Sequence, residues 1–292
     1  YSIALGQQNP RRAQKIFTHA LVLALLTTGS IIGLCLVFEL QLAYLFGATD
    51  AIVFYVVDFL HIILVFGLVL VLENILSIFI RNDGNPNLAM LGLVVTSVVN
   101  IILNYVFIFI FHWGVKGSAY ATIIGTFIGI LVLLTHFWTS KNQLRVVRTK
   151  LDLPMLGNIF VIGFPSFIVE GTFAVMIIAF NITFSHHTGE TGLVAYSVVN
   201  YMHAVLIMLF IGVGVAVQPI TSYYHGAKLY QRMGQIVSIG LRTGFGLGIA
   251  LFVFGLVGKE LIIDMFGIAE PQIIEYAKIG IVYFFSGYLF LG

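Results

Sequence analysis

Two carboxylates lie well inside long apolar runs, Glu73 and Glu170. An ionisable group within a membrane span is costly and marks a pathway for ions or substrates by default. Glu170 stands sixteen residues after Pro154 and fifteen before Ser185, close to the middle of its run. Pro165, five residues earlier, removes one backbone hydrogen bond and frees the Val161 carbonyl. A kink beside a mid-span acid fits a proton or cation site. Asn181, eleven residues further on, returns to nearly the same helix face. Glu73 sits in LENILSIFIRNDG, within reach of Arg81 or of a polar group on another helix. Glu170, Asn181 and Glu73 form the candidate cation-coupling set. Pairing with a polar neighbour for packing alone is the alternative for each acid.

A second set of residues suits a cavity wall. Asn100 and Asn104 are four apart and share a helix face near mid-depth. They line a cavity or coordinate Na⁺ through their amide oxygens, or else they hydrogen-bond between helices, worth ~0.6–2 kcal/mol per contact in a bilayer. Tyr196, Asn200 and His203 fall at i, i+4 and i+7, and Gln218 lies five full turns beyond Asn200. Such a stripe in an apolar helix reads as a water-accessible wall. An imidazole there is a candidate for titration near neutrality, with a hydrogen-bonded structural role as the alternative. There is no HExxH, no GxSxG and no P-loop, so no enzyme, resident metal or ATP hydrolysis is expected.

These residues sit in an unusual composition. Of 292 residues, 60% are hydrophobic and 9% charged, with a mean hydropathy of +1.05. Soluble domains are roughly 25% charged. The net charge of +2 leaves no basic face for nucleic acid. The single cysteine, Cys35, excludes an internal disulfide and any Cys-cluster metal site. An all-α membrane protein, a polytopic helical bundle, remains.

About 20 apolar residues cross a bilayer as a helix. Runs of that kind are Ile16–Phe38, Tyr55–Phe79, Leu88–Phe111, Gly117–Trp138, Met155–Phe184, Leu193–Pro219, Met233–Val257 and Ile274–Gly292. Gly29/Gly33, Gly125/Gly129 and Gly240/Gly244/Gly248 have the spacing that lets helices approach closely. Alternate loops hold ten cations, among them Arg11, Arg12, Lys15, Arg81, Arg145, Arg148 and Lys150; the other loops hold Lys116 and Lys259. The positive-inside rule puts the first set, and the Tyr1 end, in the cytoplasm.

The chain also matches itself at an offset of 220 residues. LGQQNPRRAQKIF, from Leu5, falls on HGAKLYQRMGQIV, from His225, and LFGATD, from Leu45, falls on MFGIAE, from Met265. Nine of 67 pairs are identical, and loops and span starts coincide. The unit is then six helices in parallel repeat, a transporter architecture. Two helices are expected before Tyr1 and two after Gly292, which makes this chain eight of twelve. Residues 1–140 are read as the last four helices of an N-terminal lobe, 141–153 as a cytoplasmic linker, and 154–292 as the first four helices of a C-terminal lobe.

The stretch FIRNDGNPNLAMLGLVVTSVVNIILNYVFIFIFHWGVKGSAYAT, from Phe79, resembles the multidrug and toxic compound extrusion (MATE) transporters. The residues that carry the resemblance are Arg81, Gly84 and Pro86; Asn100 to Asn104; and Gly114, Gly117, Ser118 and Ala119. QPITSYYHGAK, from Gln218, resembles a second family signature. The resemblance implies two six-helix lobes around a central cavity. It also implies export of amphipathic or cationic compounds driven by inward H⁺ or Na⁺. A monomer in a prokaryotic plasma or inner membrane is the expected setting, with the lipid bilayer as its surroundings. One family branch carries a proton-coupling aspartate where Asn104 stands, and an amide cannot cycle a proton. The alternative function is a lipid-linked precursor flippase of the same superfamily.

Overall fold

A computed structural model describes the chain except residues 47, 49, 51, 139–141, 268–269 and 292, and except the side chains at 174, 178, 181, 182, 185, 188–191 and 193. It is all-α and divides into two compact units, Tyr1–Ile159 and Phe160–Gly292. Among the described residues seven helices are long and apolar enough to cross a membrane. They become eight if Val53–Val65 and Gly67–Asn82, bent by 52°, are one span.

The first unit runs α1 (Ser2–Gly6), α2 (Pro10–Val37), α3 (Glu39–Leu45), α4 (Val53–Val65), α5 (Gly67–Asn82), α6 (Pro86–Tyr105) and α7 (Gly114–Leu134). A π-helical turn, Val106–Ile110, extends α6, and a 3₁₀ turn, Thr135–Trp138, ends α7. Two starts share one device. Asn9 and Asn85 cap α2 and α6 by accepting from the backbone N–H groups of Arg12 and Leu88, with Pro10 and Pro86 in the first helical position.

Packing of α5, α6 and α7 depends on absent side chains. A Cβ at Gly125 would lie 2.9 Å from the Thr96 carbonyl oxygen. One at Gly129 would overlap Thr96 Oγ1 and Glu73 Oε1. Gly29 and Gly33, expected from their spacing to meet another helix, have nothing within 4 Å of a Cβ among the described residues. Spacing permits close approach but supplies no partner.

Residues 142–152 run extended across the start of α2. Val147 N–H donates to Thr18 Oγ1 (3.0 Å), Asp152 N–H to His19 Nε2 (3.2 Å), and Gln14 Nε2 donates to the Gln143 carbonyl (3.2 Å). The strap is fastened by Asp83, whose side chain is 1% exposed. Its carboxylate accepts from Tyr1 Oη at 2.5 Å, His136 Nε2 at 2.8 Å, Gln143 N at 3.0 Å and Leu144 N at 3.3 Å. Burial, and then Asp83 itself, push the Tyr1 phenol above the usual tyrosine range, so it stays a donor. Leu144 is buried in the same core as Phe17, Leu76 and Ile80.

Helical backbone α8 (Leu153–Gly226) starts within the first unit and makes up, from Phe160, the beginning of the second, which continues with α9 (Tyr230–Met265), α10 (Pro271–Ser286) and α11 (Tyr288–Leu291). α8 is not one straight rod. The Phe180 and Tyr196 rings stack at 5.4 Å and those of Phe184 and Tyr196 at 5.0 Å. Sixteen residues of straight helix would separate the first pair by about 24 Å. The chain therefore doubles back between Phe184 and Tyr196, which leaves two spans, Leu153–Ile177 and Val194–Gly226. The core of this unit joins the second arm of α8, through Val199 and Leu206, to α9 and α10. A Cβ at Gly248 would overlap the Tyr288 carbonyl oxygen, and one at Gly255 would overlap the Phe285 ring.

Replacing Gly129 by Ala should lower the unfolding midpoint in detergent by the equivalent of about 1–3 kcal/mol, the range for overpacking. Gly33→Ala, facing open space, should leave it unchanged. Asp83→Ala should free the strap, and trypsin should cut after Arg145 and Arg148 about tenfold faster, the loss of one charge-assisted hydrogen bond. Unaltered cleavage would show that the strap is held without Asp83.

Candidate functional site

The sequence-derived residues fall into three groups. The first is a polar seam inside the first unit. Glu73, on α5, is 5% exposed and accepts a hydrogen bond from Thr96 Oγ1 on α6. Its partner is thus the residue on another helix, and Arg81 makes no ion pair with it among the described residues. Ser77, one turn along α5, has a buried hydroxyl with no partner among the described residues. One turn along α6 from Thr96, Asn100 Nδ2 donates to Thr122 Oγ1 on α7 at 3.1 Å. Asn104 Nδ2 donates to the Asn100 carbonyl at 2.9 Å. Each asparagine spends one of its two amide N–H groups on protein. Among the described residues no donor reaches either Oδ1, so those oxygens remain able to accept from a solute or an ion.

The second group is the first arm of α8. The helix continues through Pro165, and Glu170 is exposed in its unit. No hydrogen bond or ion pair reaches its carboxyl among the described residues. The side chain of Asn181 lies outside the described residues.

The third group lines a cavity of about 670 Å³ between the two arms of α8 and α10. Its rings include Phe173, Phe180, Tyr196, Tyr276, Tyr283 and Phe284. Tyr196 is 4% exposed, and its hydroxyl has no partner among the described residues. His203 stacks on Tyr288, its Nδ1 lying 3.0 Å from the Tyr288 hydroxyl. None of the described lining residues is charged. The sequence stripe is therefore split. Tyr196 and His203 enter this cavity, Asn200 is half-buried beside it, and Gln218 is exposed, with its Nε2 3.5 Å from Ser222 Oγ. Among the described residues no group of three His, Cys, Asp or Glu side chains is placed to hold a metal ion.

Sequence reasoning missed Thr96, Thr122 and Tyr288. Thr96 carried one signal, its place one turn before Asn100 on the same face. Phe180 and Phe284 carried none, being two of 26 phenylalanines.

A model of the MatE family matches residues 1–106 and 165–292. Over 278 residues the chain is 27% identical to the probable multidrug resistance protein YoeA of Bacillus subtilis, covering 90% of this chain and 58% of that protein. Over 235 residues it is 23% identical to the multidrug export protein MepA of Staphylococcus aureus, covering 80% and 52%. It spans about half the length of these curated relatives. Its fold is that of an outward-facing multidrug resistance MATE family transporter, with a TM-score of 0.90 at 19% identity over 99% of this chain and 65% of the other. A MOP superfamily transporter from Pyrococcus furiosus gives 0.88 at 20% identity, again over 99% and 65%. The apolar helices and these relatives together make this a multi-pass membrane protein. The chain belongs to the multidrug and toxic compound extrusion (MATE) family of membrane transporters.

Proposed function

We propose that the protein acts in secondary active export of amphipathic and cationic compounds, by alternating access and driven by inward H⁺ or Na⁺. The observation that carries this reading is the aromatic cavity of the second unit. Its volume, about 670 Å³, lies within the range of roughly 300–1,000 Å³ that holds drug-sized ligands. A flat organic cation would lie against ring faces, each worth about 0.5–2 kcal/mol once desolvated. The unpartnered Tyr196 hydroxyl would give it one oriented hydrogen bond.

Glu170 is the coupling group in this reading. It stands one turn from Phe173, which lines the cavity. An acid in a span with no fixed partner is free to exchange a proton or metal cation for substrate. Glu73 and Asn181 complete the coupling set, and the open amide oxygens of Asn100 and Asn104 suit Na⁺ or a polar solute. Flipping a lipid-linked phosphate fits less well, because no Lys or Arg is among the described residues that line the cavity.

Proteoliposomes holding the full-length protein, with H⁺ and Na⁺ gradients imposed separately, test the coupling. Glu170→Gln should uncouple ethidium efflux from the effective gradient. Unchanged efflux and ion dependence would remove Glu170 from the mechanism. Phe180→Ala and Tyr196→Ala should each weaken ethidium binding, by about threefold to thirtyfold at the strength of one cation–π contact. Equal affinity in both variants would place the substrate elsewhere.

A further inference from the structure

The strap and α2 enclose two adjoining hollows on the basic side of the first unit. One, of about 580 Å³, is lined by Lys15, Arg148 and Lys150. All three side chains are exposed, and none makes an ion pair among the described residues. Asp152 is the one acid among the described lining residues, and its Oδ1 already accepts from the Met155 N–H at 3.0 Å. The second hollow, of about 250 Å³, is lined on its membrane side by Val22, Leu23, Leu26 and Leu156. Arg148, Thr149 and Leu151 line both, so the two are continuous.

Depth orders these features. Leu26 is eleven residues beyond Lys15 on α2, about 16 Å further along the helix axis. The cations therefore stand at the entry of the span and the apolar groove descends along it. The hydrogen bonds that the strap N–H groups of Val147 and Asp152 donate to Thr18 and His19 fix Arg148 and Lys150 over that groove. A phosphate at the top and a hydrocarbon chain below is the layout of a phospholipid in its own leaflet. Three unpaired cations favour an anionic headgroup, since the ammonium of a zwitterionic one would be repelled. Basic pockets beside membrane helices on the cytoplasmic face bind such headgroups.

We propose that α2 and the strap bind one anionic phospholipid of the cytoplasmic leaflet, its phosphate held by Lys15, Arg148 and Lys150 and one acyl chain lying along Val22, Leu23, Leu26 and Leu156. The site is separate from the aromatic cavity and does not depend on the transport reading. Occupancy would fasten the strap to α2 at a point different from Asp83.

Native mass spectrometry of the detergent-purified protein tests this, with palmitoyl-oleoyl phosphatidylglycerol, the matching phosphatidylethanolamine and glycerol 3-phosphate as probes. Phosphatidylglycerol should bind one to one and in preference to phosphatidylethanolamine. Lys15→Gln with Arg148→Gln and Lys150→Gln should weaken it roughly a hundredfold, at the usual worth of three cations near an anionic surface. Leu23→Trp, which fills the groove and leaves every cation in place, should weaken it independently. Both variants should keep the parent unfolding midpoint, since the altered cations bond to nothing that holds the fold. Equal binding of phosphatidylethanolamine overturns the proposal, as does parental affinity in either variant. Displacement of the lipid by an equal concentration of glycerol 3-phosphate overturns it too, because the hollow would then be a site for soluble phosphate.

Discussion

In hydrocarbon no water satisfies a polar group, so each one placed there needs a protein partner or a wet path. This chain meets the demand mostly within single helices. The hydroxyls of Thr27, Ser97, Thr126 and Thr172 each donate to the carbonyl four residues back on their own helix. Such groups leave the helix surface effectively apolar and carry no information about partners. Polar atoms handled differently stand out against them. Glu73 and Asn100 bond across helices, whereas Ser77, Tyr196 and Glu170 have no partner among the described residues. A buried group without a partner needs an explanation beyond packing, and for Tyr196 the explanation is an adjoining cavity large enough for a solute.

The cross-helix bonds depend on close backbone approach. The Glu73–Thr96 bond exists because Gly129 offers no Cβ where the two oxygens sit. Gly92 and Gly125 do the same for Leu133 and for the backbone around Thr96 and Asn100. Close approach and buried polarity are thus one feature: glycine lets the helices near enough for short side chains to reach, and the bond holds them there.

The features legible in the sequence are the local ones. A span needs only length and apolarity, so the apolar runs become helices, although their bounds shift by up to eight residues, as from Met233–Val257 to Tyr230–Met265. The 52° bend at Phe66 was invisible because the chain is apolar on both sides of it. The stripe Tyr196, Asn200, His203 has helical spacing, but its cover, Phe180, Phe284 and Tyr288, comes from elsewhere in the chain. Gln218 lies eighteen residues beyond Asn200, about 27 Å further along the arm, past the stretch from Gly192 to Ile207 that lines the cavity. Asp83 stands in the loop RNDGNP without any local feature that marks it. Its partners Tyr1, His136 and Gln143 lie 82, 53 and 60 residues away, beyond any local pattern.

The internal repeat illustrates how structure adds to weak identity. Among the described residues three that are not glycine have positive φ: Gln8 (56°), His112 (56°) and Lys228 (57°). Gln8 and Lys228 are 220 apart, the offset of the sequence match. Each ends a helix with the same pair of bonds, Asn9 N–H to the Ala4 carbonyl with Gln8 to Leu5, and Leu229 to Tyr224 with Lys228 to His225. This is the Schellman arrangement, which ordinarily selects glycine because a Cβ in that region costs about 1–2 kcal/mol. Two unlike side chains accept that cost at the same repeat position, so the turn is held by its backbone bonds and by the next span, which enters from the basic side. The position that matches the break at Phe66 falls, to within one residue, at Gly287 between α10 and α11, where φ of −62° and ψ of −26° are helical and Pro271–Leu291 continues as one span. The 52° bend at Phe66 thus has no equal at the matching position, whereas the turn at Gln8 recurs at Lys228 with its backbone bonds intact.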